Sequence, residues 1–277
     1  MLTETVTPEF AARLELCEVN AWLNMYAAAP ARFVRQVGTE IIRAGDVVLT
    51  RCKAIPFIHF NCVMNLGMME VATERQLDDL LSTYRDAGVD RPWFFHIPHC
   101  QPAALPEWFH ARNLHARGGW DRIYRDDTPP ARAVAYSDDG PSVEQVTKSG
   151  AAEWAAFIDR VYGLPTSPWL ISLVERTGWH HYALREGGQI RAVRSMYIGD
   201  DGMAWLGIDA PVPGIMAPSF DLDARICGTI IRDGIALGAR CFVADIEAPH
   251  PAMDSPAYPH FAALGFSKAY FRSHYGY

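Results

Sequence analysis

Hydrophobic positions divide the chain into segments of two periods. From residue 8 to 29, Phe10, Leu14, Cys17, Ala21 and Met25 recur at helical spacing, and Pro30 ends the run. Short apolar runs at 33–37, 47–50 and 57–60 predict strands, with a turn at Ala44-Gly45-Asp46. Residues 62–67 predict another strand. Thr73 with Gln76 three positions on forms a capping box for a helix whose inner face is Leu77, Leu80, Leu81 and Tyr84, and Gly88 stops it. A strand at 93–97, a helix at 105–114 and a strand around Ile123-Tyr124 follow.

The second half repeats this order. Met203-Ala204-Trp205-Leu206-Gly207-Ile208 is a buried strand behind the turn Asp200-Asp201-Gly202. A proline-bearing loop, 209–218, leads to a helix opened by Ser219-Phe220-Asp221. Ile226, Ile230, Ile231 and Leu237 form its apolar face, and Gly238 ends it. A strand at 241–247, a helix at 254–264 and a last strand from Gly265-Phe266 complete the unit. Leu66-Gly67 corresponds to Leu206-Gly207, and 26 positions separate both Gly88 from Leu114 and Gly238 from Leu264. The expectation is two copies of one unit, 1–130 and 131–277, joined at Asp126-Asp127-Thr128-Pro129-Pro130. The copies differ between strand and helix: 21 positions from Gly67 to Gly88, 31 from Gly207 to Gly238. The longer loop marks the second copy as the one expected to carry a site.

Composition narrows the classes. The 49% hydrophobic content supports packed cores, and the net charge of −7 argues against a nucleic-acid surface. No apolar run is long enough to span a membrane, and residues 1–9 carry no apolar signal core. Six cysteines without a C-x-x-C predict reduced thiols and a cytoplasmic protein. His96-x-x-His99-Cys100 and His180-His181 lack a third ligand at a known spacing, so no metal is expected.

The order of elements, the Gly238 stop before a strand and the ending from Ala257 through His260-Phe261-Ala262-Ala263-Leu264-Gly265-Phe266 resemble the GNAT (GCN5-related N-acetyltransferase) superfamily, whose ending reads N-x-x-A-x-x-L-Y-x-x-x-G-F. The resemblance covers 142–277 best. It implies an α+β fold of two tandem domains, each a mixed, mostly antiparallel sheet flanked by helices, with the first domain structural. It also implies acetyl-CoA or another acyl-CoA as co-substrate, and direct acyl transfer to a small amine. The backbone of Trp205, Leu206, Gly207 and Ile208 would pair with the pantetheine arm. Ser219, Phe220, Asp221 and Leu222 would lie at the pyrophosphate, where the family has R/Q-x-x-G-x-G/A. Here Pro218 replaces the Arg/Gln, and Asp221 and Asp223 replace the small residues. A carboxylate ~4 Å from a phosphate charge repels it by about 4 kcal/mol at an effective dielectric of ~20.

Phe261 stands where the family's acid is a tyrosine, so Tyr258, one turn earlier, is the candidate acid, ahead of Tyr275 and Tyr277. Asp245 and Glu247, two apart on a strand, share a face and are candidate bases. His250 is a candidate proton relay, and Asp254 a candidate helix cap. The acids favour a cationic acceptor, and a homodimer is compatible with this reading. Two rivals stay open: a fold of this kind that has lost CoA and binds another small ligand, or one that runs CoA-independent chemistry with the same residues.

Overall fold

The computed structural model describes residues 6–130, 141–211 and 220–277; the side chains of Phe220, Asp221 and Asp223 lie outside the description. In chain order the elements are α1 (Pro8–Ala27), α2 (Ala31–Val37), β1 (Glu40–Ala44), β2 (Val47–Arg51), β3 (Cys62–Met64), α3 (Glu74–Asp86), β4 (Trp93–His96), α4 (Leu105–Ala111) and β5 (His115–Asp126). Then come β6 (Ser142–Gln145), α5 (Ala151–Tyr162), α6 (Ser167–Ile171), β7 (Trp179–Glu186), β8 (Gln189–Ile198), β9 (Met203–Ala210), α7 (Phe220–Ala236), β10 (Cys241–Ala248), α8 (Tyr258–Ala263) and β11 (Ser267–Gly276). The fold is mixed α+β, mostly antiparallel, with parallel pairs at β3–β4 and β9–β10.

The chain divides into two compact units, but not at the Asp126–Pro130 stretch. One comprises Met1–Trp120, Pro249–Met253 and Ala269–Tyr277; the other comprises Asp121–Ala248 and Asp254–Lys268. The contiguous split at 130/131 therefore differs from the observed one. The reason is long-range pairing: β11, last in the chain, runs antiparallel to β4, with Ser273 opposite His96 and Tyr275 opposite Phe94. Within the first unit, buried Arg272 of β11 also meets Glu15 and Glu18 of α1, and its guanidinium lies 4.5 Å from the centre of the Phe95 ring. Both ends of the chain thus build one unit.

Several local expectations hold for stated reasons. Thr73 Oγ1 accepts from Gln76 N at 3.1 Å, capping α3. In the second unit, Ile226, Ile230 and Ile231 of α7 pack on Ala204, Leu206, Phe242, Ala244 and Ile246 of the sheet, with Phe261 of α8 beside them. Each buried Ile, Leu or Phe among these contributes about 1.5–3 kcal/mol. Gly234 lets helix and strand close up, since a Cβ there would lie 2.6 Å from the Phe242 ring.

Others are corrected. Residues 33–37 form α2 rather than a strand; Gly38, at φ +66°, ends it with its N–H on Val34 O. The neighbouring strand is β1, where two isoleucines among polar residues gave little signal. Residues 58–60 are one 3₁₀ turn, because the Asn61 side chain accepts from Cys52 N and donates to Ile55 O, both at 2.8 Å, and holds a loop. The helix expected at 254–264 is only Tyr258–Ala263, and Asp254 does not cap it: its carboxylate faces Lys268 Nζ at 3.4 Å.

Candidate active site

The candidate site is a fork in the second unit's sheet. β9 and β10 pair in parallel from Met203 with Cys241 to Leu206 with Ala244, and there the ladder ends. Both strands continue, to Ala210 and Ala248. Beyond Leu206 the backbone of β9 is no longer paired with β10.

A bulge sits at the same place. Ile208 has φ +52°, a left-handed conformation that is costly for a β-branched residue, on the order of 1–3 kcal/mol. The β8–β9 register shifts between Val193 and Ser195, opposite this point. Bulges re-aim side chains, and this one brings Asp209 to Arg194, with Arg194 Nε 2.6 Å from Asp209 Oδ1. Burial pushes the Asp209 carboxyl up from the usual range, and the guanidinium opposes that shift. The Tyr162 hydroxyl donates to Asp209 O at 2.5 Å. Gly207 is required at the fork, because a Cβ there would lie 2.2 Å from the Trp205 ring.

The other tine carries the acids. Phe242, Ala244 and Ile246 belong to the core cluster under α7, so Asp245 and Glu247 point to the opposite face of β10, where both are half-buried. Asp245 Oδ1 lies 3.0 Å from Nε of the fully buried Arg122 on β5.

No family model matches the chain, and no curated protein matches it. Solved structures do. A GCN5-related N-acetyltransferase from Kribbella flavida is 12% identical, covers 96% of this chain and 95% of its own, and superposes with a TM-score of 0.62. A tandem GNAT protein from the clavulanic acid biosynthesis pathway is 13% identical over 86% of this chain and 81% of its own, with a TM-score of 0.55. A GCN5-related N-acetyltransferase from Sphaerobacter thermophilus is 11% identical over 83% and 80%, also at 0.55. The chain has the GNAT fold.

Within this GNAT fold the candidates from sequence scatter. Trp205 and Leu206 are buried, Gly207 follows them, and half-buried Ile208 forms the bulge. Leu222 and Tyr258 are half-buried against the cluster that holds Phe261. Asp245 and Glu247 share their face of the fork, but Asp245 is engaged by Arg122 rather than standing alone as a base. His250 is not part of this unit: it falls in Pro249–Met253, where its Nδ1 accepts from Ala252 N at 3.1 Å. Ser219 lies outside the described residues, as do the side chains of Phe220 and Asp221, so the phosphate-loop expectation falls largely outside the description. Sequence reading missed Arg122, Arg194 and Asp209. A signal was present for Asp209, a charge between Ile208 and Ala210 in an apolar strand, but Arg122 and Arg194 stand in strands that carry other polar and charged residues. Among the described residues, no cluster of His, Cys, Asp and Glu could hold a metal, and no helix is long and apolar enough to cross a membrane.

Proposed function

We propose that the second unit transfers an acyl group from acyl-CoA to the nitrogen of a small amine. The fork carries this reading: a released β-edge from Gly207 to Ala210, beside a strand presenting Asp245 and Glu247 on one face. A released edge suits the amide-rich arm of CoA, which hydrogen-bonds as a strand does. Glu247 is the base for the ammonium proton, and Arg122 holds Asp245 beside it as fixed negative charge that favours a cationic acceptor. Tyr258, at the start of α8 and three positions before Phe261, is the acid for the leaving sulfur. The first unit serves as a structural partner.

Calorimetry of the full chain with acetyl-CoA tests the reading. Micromolar binding, followed by thiol release with a panel of small amines, is the expected result. Absence of heat and of any thermal shift overturns it, and favours a GNAT-fold protein that has lost CoA. The aspartates at 221 and 223, where the family has small residues, would then be the cause.

A further inference from the structure

Four elements of the second unit converge where β9 leaves β10. From β8 comes Arg194, whose guanidinium lies 5.2 Å from the centre of the Phe261 ring on α8. From β9 comes Asp209, on its Nε, and from α7 comes Cys227, whose Sγ abuts Nη1. The side chain of Arg194 is only 1% exposed and that of Asp209 11%. A buried ion pair contributes little net stability, and apolar replacements of similar volume are often as stable. The bulge at Ile208 that brings the pair together is itself strained. Two features that stability does not favour are therefore kept together beside the point where the β9–β10 ladder ends. That coincidence calls for a chemical use.

We propose that the Arg194 guanidinium is the charge-stabilising group for the thiolate that leaves during acyl transfer. This rests on the acyl-CoA reading above. In that reaction the amine lone pair forms the new C–N bond to the thioester carbonyl carbon. The amine has first given its ammonium proton to Glu247 or water; the C–S bond then breaks with its electron pair going to sulfur, and the newly acylated nitrogen gives its second proton to water. The sulfur then carries a full negative charge. Phe261 has no hydroxyl with which to protonate it. An arginine stays protonated throughout and so acts by charge rather than by proton transfer. In a poorly solvated fork that charge is felt far more strongly than in water. Asp209 orients the guanidinium through Nε, while the Phe261 ring face, held in the core, supports its plane.

The test uses full-length protein as wild type, Arg194→Lys, and the double variant Arg194→Met with Asp209→Asn, which keeps the buried pair neutral. The readout is the ultraviolet absorbance of the CoA thiolate, titrated with pH on the protein, with desulfo-CoA as the blank for the protein's own cysteines. Expected is a bound thiol that ionises at least tenfold more readily than in free CoA. The lysine variant should retain part of this and the double variant none, while desulfo-CoA affinity changes less than threefold. An unshifted thiol in the wild type, or the same shift in the double variant, overturns the assignment while the acyl-CoA reading stands. Binding of neither CoA nor desulfo-CoA by the wild type overturns both.

Discussion

The two units run the same order of elements to different ends at their parallel strand pairs. In the first, β3 and β4 pair through Cys62 with Trp93 and Val63 with Phe94. The chain then bridges its own opening: Gln101 N donates to Gly67 O at 2.7 Å, and Ala72 N donates to Gln101 O at 2.9 Å. In the second, β9 bulges at Ile208 and the ladder stops at Leu206 and Ala244. Each unit also buries an arginine. Arg272 faces two carboxylates, Glu15 and Glu18, and the rings of Phe95 and Trp120; Arg194 faces Asp209 at the open fork. The same frame is bridged by backbone hydrogen bonds in one unit and parted beside a bulge in the other. Fold alone does not make the site.

The largest effect that separates the units should come from Arg272→Met. It leaves Glu15 and Glu18 buried without their shared cation, and breaking a buried pair from one side costs about 3–5 kcal/mol. Amide hydrogen exchange should show the loss of protection across α1, β4 and β11, with acetyl-CoA affinity retained. Equal loss of protection across α7 and β10 would show that the sealed unit is not stabilised separately.

A smaller difference should appear at the matched glycines. At Gly67, with φ +79°, an added Cβ would sit 2.3 Å from Gln101 O, a backbone atom that cannot yield without breaking the bridge. At Gly207 the obstacle is the Trp205 side chain rather than backbone. Gly67→Ala should cost roughly 2–3 kcal/mol by chemical denaturation, from left-handed strain and overpacking together, and leave CoA binding alone. Gly207→Ala should cost roughly 1–2 kcal/mol from overpacking and weaken CoA binding. The reverse order would mean that the bridge is not what closes the first unit.

Much of this frame was legible in the sequence, and the decisive parts were not. The Thr73 cap, the Gly88 and Gly238 stops and the runs at 93–97 and 203–208 are local signals, and each became an element near its expected bounds. The pairing of β11 with β4 joins residues far apart in sequence, so a linker-like stretch at 126–130 misled the division into units. The bulge depends on register between β8 and β9, which no local pattern encodes. Nothing local therefore joins Arg194 to Asp209. Asp245 was read with Glu247 as a candidate base, without its cation, because Arg122 arrives from a strand more than a hundred positions earlier.

The smallest expected difference is in pH dependence. Burial lowers His59 and His96 of the first unit, and His181 of the second, from 6.5 to about 4; it also lowers His180 of the second. At His59, Glu18 opposes this shift and Arg272 adds to it; at His181, the Leu173 backbone opposes it and His180 adds to it. With folded values below unfolded ones, the unfolded chain binds more protons between about 4 and 6.5. Stability is therefore complete above the unfolded value and is lost as pH falls through that window, by at most about 1.4 kcal/mol per pH unit for each histidine. His96 touches only aromatic rings among its ring contacts, those of Phe109 and Tyr275, so His96→Phe removes one proton site and keeps an aromatic ring there. Hydrogen exchange at pH 6 and pH 5 should then show a first unit whose acid sensitivity drops by about 1.4 kcal/mol per pH unit. The second unit, which keeps His181, should respond to acid as before. An unchanged first unit would mean that His96 is not held neutral by its burial.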